Sequence, residues 1–489
     1  MVKGLFRISF FSIIVLSYIS VKGQHSTKPN IIVILADDLG YADLGVQGSL
    51  KDIKTPHLDS LAKSGTRFKN GYVTAPQCSP SRAGLITGKY QQRFGFDAIP
   101  NGPLPLNQTT LAERLKKVGY RTGMVGKWHL EPNAVTVAWA KDNFPSALVD
   151  SGGRLKNIPL AKRLPYLPYA RGFDEFFVGE INNYWTNFNL QNQLLDTEAK
   201  YINPKGFRLD LQTEAAKQFI QRQKENPFFL YLCYYGPHVP LDATKKYLDR
   251  FPGNMPERRR YALAMMAAID DGVGELCTAL KDMGIDKNTV IIFTSDNGAP
   301  IGLTKPDVPI QDARGNWDGS LNTPLLGEKG MLSEGGIKVP FIMSGFGIPK
   351  NKVFDEAIST LDIVPTCLSL AGSSIDPSLD GTNLIPYLTN KQKGVPHQNL
   401  YWRFWTQSAV RDNNFKFLNA GNAGSYLFDL IQDPEEKNNI INQQPEIAKK
   451  LKAKLENWTK ELDPVGIPDK DLNNQEKNWF KHHLGMGNN

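Results

Sequence analysis

Cysteine is scarce in this chain. Its 489 residues contain four cysteines, Cys78, Cys233, Cys277 and Cys367. So few cysteines exclude a disulfide-rich scaffold. Cys233 lies in an apolar strand pattern and Cys277 in a helical pattern, so both are predicted to be core residues. If Cys78 serves a chemical role, the other three cannot all pair with one another.

The chain also lacks an apolar run long enough to cross a membrane comfortably. Lys3 and Arg7 precede a mostly apolar segment, Ile8–Ile19, and the small residue Gly23 follows it. This order is typical of a cleaved signal peptide, which we place at residues 1–23. We therefore expect a periplasmic or secreted protein without a stable membrane anchor.

Long basic runs and low-complexity segments are missing as well. The formal net charge is +8, and the basic residues are scattered in short groups. This pattern makes a nucleic-acid partner a poor hypothesis. A modest positive excess suits a small anionic substrate.

Strand and helix signals alternate through most of the chain. A continuous apolar run, Ile31–Ala36, is typical of a strand buried on both faces. Pro56 and Gly65 bracket a helix pattern, and Thr110 and Glu113 have the spacing of a capping box that begins another. The alternation predicts an α/β fold in which helices flank a large, mostly parallel sheet.

The pattern changes near residue 391. Alternating residues up to about Leu430 predict antiparallel hairpins, with a turn at Gly421–Gly424, and a helix is expected at about Pro445–Leu462. Residues from Asp463 onward have the composition of a polar wrapping tail. We predict a catalytic domain at residues 24–390 and a smaller α+β subdomain at residues 391–489.

Polar residues follow several of the predicted buried strands at the point where each strand ends. In open α/β sheets, ligands bind beyond the carboxyl ends of the strands, so these side chains are expected at one edge. They are Asp37, Asp38, Lys127, His129, His238, Asp296 and Asn297.

Four of these residues offer hard oxygen ligands, namely Asp37, Asp38, Asp296 and Asn297. Such a set favours Ca²⁺, with Mg²⁺ as the second choice, over zinc. One aspartate pair alone is more often a helix cap. Asp270 and Asp271, which lie within a helical pattern, are interpreted as solvated.

Beyond these local patterns, the segment CSPSRAGLITG resembles the sulfatase signature, in which Cys-x-Pro-Ser-Arg is followed by a glycine six residues after the arginine. The segments ADDLGYADLG, GKWHL, YGPHVP, SDNGAP and LLGEKG…EGGIKVPFI resemble further sulfatase blocks in the same order. The resemblance extends from about Asn30 to Asn439. It implies an alkaline-phosphatase-like fold and hydrolysis of sulfate esters.

The resemblance also implies a chemical role for Cys78. In sulfatases a maturation enzyme converts this cysteine into formylglycine (3-oxoalanine), whose hydrated aldehyde attacks sulfur and also ligates the metal. The second hydroxyl then expels sulfate, which a plain serine nucleophile could not do. By the same resemblance Arg82 orients the diol, and Lys127 and Lys329 bind sulfate oxygens. His129 acts as the base, while His238 with Lys329 protonates the leaving alcohol.

Other segments suggest how a substrate is selected. Residues 131–169 fit neither a clear helix nor a strand, and a loop this long directly after His129 is expected to shape the pocket that holds the alcohol portion of the substrate. Aromatic residues in Ile181–Phe188 and Tyr401–Trp405 could stack on sugars, although core packing explains them equally well. Lys338, often arginine in the family, is expected outside the site.

The substrate class expected from the family is a sulfated carbohydrate, such as oligosaccharides from ulvan, carrageenan or a glycosaminoglycan. The alternatives are a phosphonate monoester or phosphodiester hydrolase of the same superfamily, and a non-catalytic binder of sulfated glycans. A lysosomal location is less expected because the chain has few cysteines.

Overall fold

The computed structural model describes residues 28–195, 199–311, 317–464 and 471–485. The predicted signal peptide lies outside the described residues. None of the helices in these ranges combines the length and the apolar character that crossing a bilayer requires.

Fourteen strands are numbered here in chain order. They are β1 Asn30–Asp37, β2 Gly65–Tyr72, β3 Arg121–Gly126, β4 Glu175–Val178, β5 Tyr184–Thr186, β6 Lys200–Ile202, β7 Phe228–Pro237, β8 Thr289–Ser295, β9 Lys338–Gly345, β10 Lys352–Ser359, β11 Asn399–Phe404, β12 Gln407–Asp412, β13 Phe415–Asn419 and β14 Ser425–Asp429.

The α-helices are numbered in the same way. They are α1 Pro56–Lys63, α2 Cys78–Thr87, α3 Leu111–Lys117, α4 Val137–Asn143, α5 Leu160–Arg163, α6 Arg208–Gln223, α7 Lys245–Leu248, α8 Glu257–Asp282, α9 Glu334–Ile337, α10 Ile363–Leu370, α11 Ile385–Leu388, α12 Pro445–Thr459 and α13 Asn474–Leu484.

The first ten strands form one sheet in the order β10-β2-β9-β8-β1-β7-β3-β4-β5-β6. Its centre is parallel, because β8, β1, β7, β3 and β4 are neighbours that run in the same direction. Strands β9 and β5 run antiparallel to their neighbours. The predicted mostly parallel, helix-flanked sheet is confirmed.

Strand β1 lies in the middle of this sheet and is buried along its whole length. Ile32 and Ile34 face the cluster that includes apolar residues of α1, α6 and α8. Ile31 and Val33 face the opposite cluster, which includes residues of α2, α3 and α10. Burial on both faces explains why this strand reads as a continuous apolar run.

The last four strands form a separate antiparallel sheet. One face packs against α12 through a cluster that includes Val410, Phe417 and Leu455. The other face carries Trp402, which packs with residues near α9 of the larger unit. The expected small antiparallel sheet with a helix is confirmed, while the boundary at residue 391 stays a prediction.

The expected polar tail after Asp463 is wrong for its described part. Residues 474–484 form helix α13, which begins with a capping box between Asn473 and Glu476. Trp479 and Phe480 are buried against the small sheet. Two apolar anchors one turn after a capping box are enough to dock a short helix whose other positions are polar.

Candidate active site

The carboxyl ends of four neighbouring strands carry the predicted polar residues. Strand β1 ends at Asp37, while Lys127, His238 and Asp296 directly follow β3, β7 and β8. Because these strands are parallel and adjacent, their ends meet at one edge of the sheet. The structure therefore brings the predicted residues together.

Cys78 reaches this edge from a helix. It is the first residue of α2 and is almost fully buried. Its Sγ lies 3.5 Å from Asp37 Oδ1 and 3.7 Å from Asp38 Oδ1. Burial and the Asp296 carboxylate raise the pKa of the Cys78 thiol well above its ordinary value, so the unmodified side chain is a neutral thiol.

Two lysines pair with the first two aspartates. Lys127 Nζ lies 2.7 Å from Asp37 Oδ2, and Lys329 Nζ lies 2.7 Å from both carboxylate oxygens of Asp38. Burial alone would raise the pKa of both carboxyl groups, but the nearby cations outweigh it and lower the pKa of each. Both aspartates are therefore ionised at neutral pH.

Arg82, one turn after Cys78, fixes the third carboxylate. Its Nε and one terminal nitrogen lie 2.9 and 2.7 Å from Asp296 Oδ2, and its other terminal nitrogen donates to the Lys127 carbonyl at 2.7 Å. The side chain is fully buried. A planar guanidinium held at three points positions Asp296 and the end of β3 relative to Cys78.

The site fits a divalent cation on its own chemistry. Asn297 donates to Asp38 Oδ1 at 2.7 Å, while its own Oδ1 is buried without a hydrogen-bond partner. An orphaned amide oxygen beside several carboxylates suits a hard cation. Ligand atoms of Asp37, Asp38, Cys78 and also His238 lie within 4.8 Å of one another.

His129 lies at the same edge. Its backbone has a φ of +59°, which is unusual for a residue other than glycine. Its ring Nδ1 is buried without a hydrogen-bond partner. Burial, reinforced by the charges of Lys127 and Arg82, lowers the pKa of His129 well below its ordinary value. The imidazole is therefore neutral at pH 7 and able to accept a proton.

His238 approaches Asp38 from the end of β7. Its Nε2 lies 3.5 Å from Asp38 Oδ2, and its Nδ1 contacts the Val239 carbonyl. The ring stacks on Tyr235 at 5.1 Å between centroids. Burial lowers the pKa of His238, so its protonated form gives up a proton readily.

Comparison with known proteins accounts for this arrangement. The sulfatase family matches residues 29–373, and the C-terminal family of N-sulphoglucosamine sulphohydrolase matches residues 326–461. The chain belongs to the sulfatase family. As a family member it is a sulfuric ester hydrolase, and the family implies a formylglycine and a divalent metal.

Among the relatives of this sulfatase, Arylsulfatase J of Mus musculus is 31% identical over 91% of this chain and 78% of its own length. N-acetylgalactosamine-6-O-sulfatase of Bacteroides thetaiotaomicron is 30% identical over 89% of this chain and 94% of its own. A solved structure of Ps i-CgsB in complex with k-i-k-neocarrahexaose is 30% identical and covers 94% of this chain and 98% of its own, with a TM-score of 0.72.

Two clefts open onto the active site of this sulfatase. The first, called here the His238 cleft, has a volume of about 530 Å³ and is lined by His238, Lys329, Trp405 and residues of α13. The second, the His129 cleft, has a volume of about 840 Å³ and is lined by His129 and Trp185. A larger groove of about 1070 Å³ shares Trp185 with the His129 cleft and contains none of the predicted catalytic or metal-binding residues.

The long loop after His129 shapes the second cleft. Within residues 131–169 the structure has two short α-helices, α4 and α5, short 3-10 turns that begin at Leu164 and Pro168, and one isolated bridge. Residues 131–135 and Arg154 line the His129 cleft, while Arg163 lies 3.4 Å from Glu131 beside it. The loop is therefore part of the pocket wall.

The two aromatic segments divide between core and pocket. Tyr184 and Trp402 are fully buried, and Tyr401 stacks on Trp458 at 5.1 Å. Trp185 and Trp405 line the clefts. Core packing therefore explains Tyr184, Trp402 and Tyr401, whereas Trp185 and Trp405 are pocket residues.

Sequence reasoning missed Asp318, which lines the His238 cleft. Its carboxylate is fully buried, and its Oδ2 has no hydrogen-bond partner. Burial and the Asp38 charge raise the pKa of Asp318 well above its ordinary value. No sequence pattern pointed to it, because it lies in an irregular loop rather than at a strand end.

The interpretation of Asp270 as solvated is wrong. Its carboxylate is buried and accepts from the backbone N–H of His57 at 3.2 Å and of Leu58 at 2.8 Å. It thus satisfies two N–H groups in the first turn of α1. Asp271, by contrast, pairs with Arg250 at 2.6 Å near the surface.

Lys338 lies outside the site, in a different group of charges. Its Nζ is 3.8 Å from Glu334 Oε2 and 5.3 Å from the centre of the Tyr41 ring. Lys338 is therefore not among the residues that contact Cys78.

Proposed function

We propose that this sulfatase removes sulfate esters from a sulfated carbohydrate in an exported compartment, periplasmic or extracellular, after a maturation enzyme has converted Cys78 into formylglycine. The observation that carries the proposal is the position of Cys78. Its Sγ, at the N-terminus of α2, lies 3.5 and 3.7 Å from the carboxylate oxygens of the ionised Asp37 and Asp38. A neutral buried thiol is a poor nucleophile, which supports conversion rather than direct attack.

When formed and bound, formylglycine supplies a nucleophile that can release its own product, and the metal, Ca²⁺ or Mg²⁺, offsets negative charge. Asp37, Asp38, Asp296 and Asn297 would hold the cation, with residue 78 beside it. Arg82 lies one turn after residue 78 in α2, and its buried hydrogen bonds to Asp296 fix the position of that carboxylate relative to residue 78.

The remaining residues bind sulfate or transfer protons. Lys127 and Lys329 present ammonium groups that can bind sulfate oxygens as point charges. His129 is neutral with a free Nδ1, so it can take a proton from a hydroxyl of residue 78. His238, stacked on Tyr235 and near Lys329, can deliver a proton to the leaving alcohol oxygen.

Two of the relatives named above support a carbohydrate substrate, each at 30% identity. One is named as an N-acetylgalactosamine-6-O-sulfatase, and the other was solved in complex with k-i-k-neocarrahexaose. The two open clefts beside the buried nucleophile leave room for groups larger than a simple alkyl sulfate. Phosphonate monoester hydrolysis is the second candidate. A solved phosphonate monoester hydrolase has a TM-score of 0.59 but 20% identity, a likeness that extends to the fold alone.

The test is turnover of matched aryl sulfate and aryl phosphate esters by protein produced with a maturation enzyme. We expect a clear preference for the sulfate, and mass analysis of the peptide that contains residue 78 should find formylglycine. Cys78→Ala should lower the rate by roughly 10⁴-fold or more, as removal of a nucleophile does, with an unchanged folded-state spectrum.

Each alternative has its own result in this test. A preference for phosphate would replace the sulfatase proposal by the phosphonate one. An unmodified Cys78 without turnover, in protein made with the maturation enzyme, would favour the non-catalytic binder.

A further inference from the structure

Trp405 has an unusual backbone conformation. It and Thr406 form the two-residue turn between β11 and β12, where Phe404 pairs with Gln407. Trp405 has a φ of +49°. For a bulky side chain this region costs about 1–3 kcal/mol, and such strain is concentrated at functional sites.

The Trp405 ring packs against two other rings. It stacks on Phe404 at 4.6 Å between centroids and on Trp479 of α13 at 6.1 Å, with an interplanar angle of 18° for the second pair. Thr406 Oγ1 also donates to Glu476 Oε1 at 2.9 Å. Helix α13 therefore holds the hairpin tip in one position.

The same helix contacts the loop that carries Lys329. Gln407 donates to the Gly330 carbonyl at 3.0 Å and to Glu476 at 3.1 Å. A Cβ added at Gly330 would come within 2.2 Å of the Trp479 ring. Trp479 thus packs directly beside the residue that follows Lys329, which places α13 at the active site.

These elements give the His238 cleft a mixed lining. Trp405 supplies aromatic surface, with the largely buried Trp479 beside it, while Asn474 and Asn478 of α13 supply exposed amides. Asp318 adds a buried carboxylate oxygen without a hydrogen-bond partner. Aromatic faces beside amide and carboxylate groups match a sugar ring, which has an apolar C–H face and a rim of hydroxyl groups.

We infer that Trp405 and α13 form the binding site for the sugar ring that bears the scissile sulfate. Asn474 and Asn478 bind its hydroxyl groups, and Asp318 accepts a hydrogen bond from one of them. The inference rests on the proposed function, because His238 and Lys329, which line this cleft, serve the leaving alcohol there. The ring attached to that alcohol consequently lies in this cleft rather than in the His129 cleft.

The main test variant is Trp405→Gly, because glycine adopts a positive φ without strain and the change removes the ring without forcing the turn to rearrange. The probes are 4-nitrocatechol sulfate, N-acetylgalactosamine 6-sulfate and a neocarrahexaose. We expect kcat/KM for the saccharide that the wild type cleaves to fall about tenfold more than for the aryl sulfate, a difference of about 1.4 kcal/mol. The loss should appear mainly in KM, and Trp405→Phe should restore most of it.

Asn478→Ala serves as a second variant, since it changes an exposed helix position and leaves the turn intact. It should raise KM for the saccharide several-fold. Tyr169→Ala is the matched aromatic control, because Tyr169 is 70% exposed and lines the larger groove, which shares no lining residue with the His238 cleft. Binding of the same saccharide to Cys78→Ala protein, with and without Trp405→Gly, gives a readout independent of turnover.

The outcomes separate this inference from the proposed function. If the wild type cleaves none of the sulfate esters, the proposed function fails. If it cleaves the aryl sulfate but no saccharide, the carbohydrate substrate fails and this binding site with it. If it cleaves a saccharide, and Trp405→Gly binds and turns over that saccharide like the wild type, only this inference is overturned. A loss in Trp185→Ala would then place the sugar in the His129 cleft.

Discussion

Lys416 provides a sharp test of how the small sheet is joined to the catalytic unit. It lies on β13 and is fully buried, with its Nζ 3.0 Å from Glu334 Oε1 and 2.8 Å from Glu436 Oε1. Glu334 begins α9, five residues after Lys329, and its N–H donates to Glu436 at 2.6 Å. One ammonium group therefore compensates two buried carboxylates.

Lys416→Met keeps the length of the side chain and removes its charge. Removing one partner of a buried ion pair costs about 3–5 kcal/mol of unfolding free energy, because the other partner stays buried. Tyr72 and Arg411 remain near Glu334, and they keep the loss within that range.

The loss should also depend on pH. Burial already raises the pKa of Glu436 above its ordinary value despite Lys416, and removing Lys416 raises it further. The folded variant then keeps a proton that the unfolded chain has released. Its free energy of unfolding falls as pH rises, by up to about 1.4 kcal/mol per pH unit, until the folded-state pKa is passed. The difference in unfolding free energy between the wild type and Lys416→Met is thus larger at pH 8 than at pH 6.

Urea unfolding followed by circular dichroism at both pH values measures this difference. Lys454→Met is the matched control, since Lys454 pairs with Asp412 at 2.7 Å but is 31% exposed, and it should cost at most about 1 kcal/mol. If Lys416→Met costs no more than the control, or the same at pH 6 and pH 8, the role assigned to this buried cation is wrong.

Three further predictions concern the site and its scaffold. Dialysis against a strong chelator should abolish turnover, and Ca²⁺ or Mg²⁺ should restore it; activity that is indifferent to the chelator would contradict the metal site. Asp270→Ala should lower the unfolding free energy by about 1–3 kcal/mol in urea unfolding, because the buried N–H of Leu58 and the part-buried N–H of His57 lose their acceptor, whereas an unchanged midpoint would refute this capping role. Burial opposes protonation of His397, but Asp362 at 2.7 Å outweighs it and raises the pKa of His397 overall. The His397–Asp362 pair therefore stabilises the fold fully below the ordinary pKa of histidine, and this contribution is lost as pH rises through the folded-state pKa. His397→Gln should therefore destabilise the protein at pH 6 in the same assay, and the gap should narrow by pH 9; a gap that widens would contradict the assigned direction.

Local patterns predicted most of the regular structure. The capping box at Thr110 and Glu113 forms as expected, with both hydrogen bonds present at 2.7 and 3.1 Å. The strand at Ile31–Ala36 is buried on both faces. These elements are predictable because their signals lie within a few residues of one another in the chain.

The polar edge of the sheet was predictable for a similar reason. Parallel neighbouring strands end at the same side, so residues such as Asp37 and Asp296 must meet once the strands are recognised. What the pattern could not predict is their pairing. Lys329, from a loop, is the residue that binds both oxygens of Asp38.

Other features depend on contacts between distant parts of the chain. Asp270 looked solvated within its helix, yet it caps a helix 212 residues earlier in the sequence. Helix α13 looked like a polar tail because its two anchors have meaning only against the small sheet. Its position beside Lys329 follows from the packing of Trp479 against Gly330.

The amino-acid sequence alone determined the family, the main sheet and the polar residues at its edge, because each depends on short motifs or on the period of buried strands. The tertiary structure alone decided which aromatic rings face the clefts, which buried charges compensate one another, and that a terminal helix forms a wall of the active site. These outcomes depend on long-range packing, in which the partner of a residue is chosen by the whole fold rather than by its neighbours in the chain.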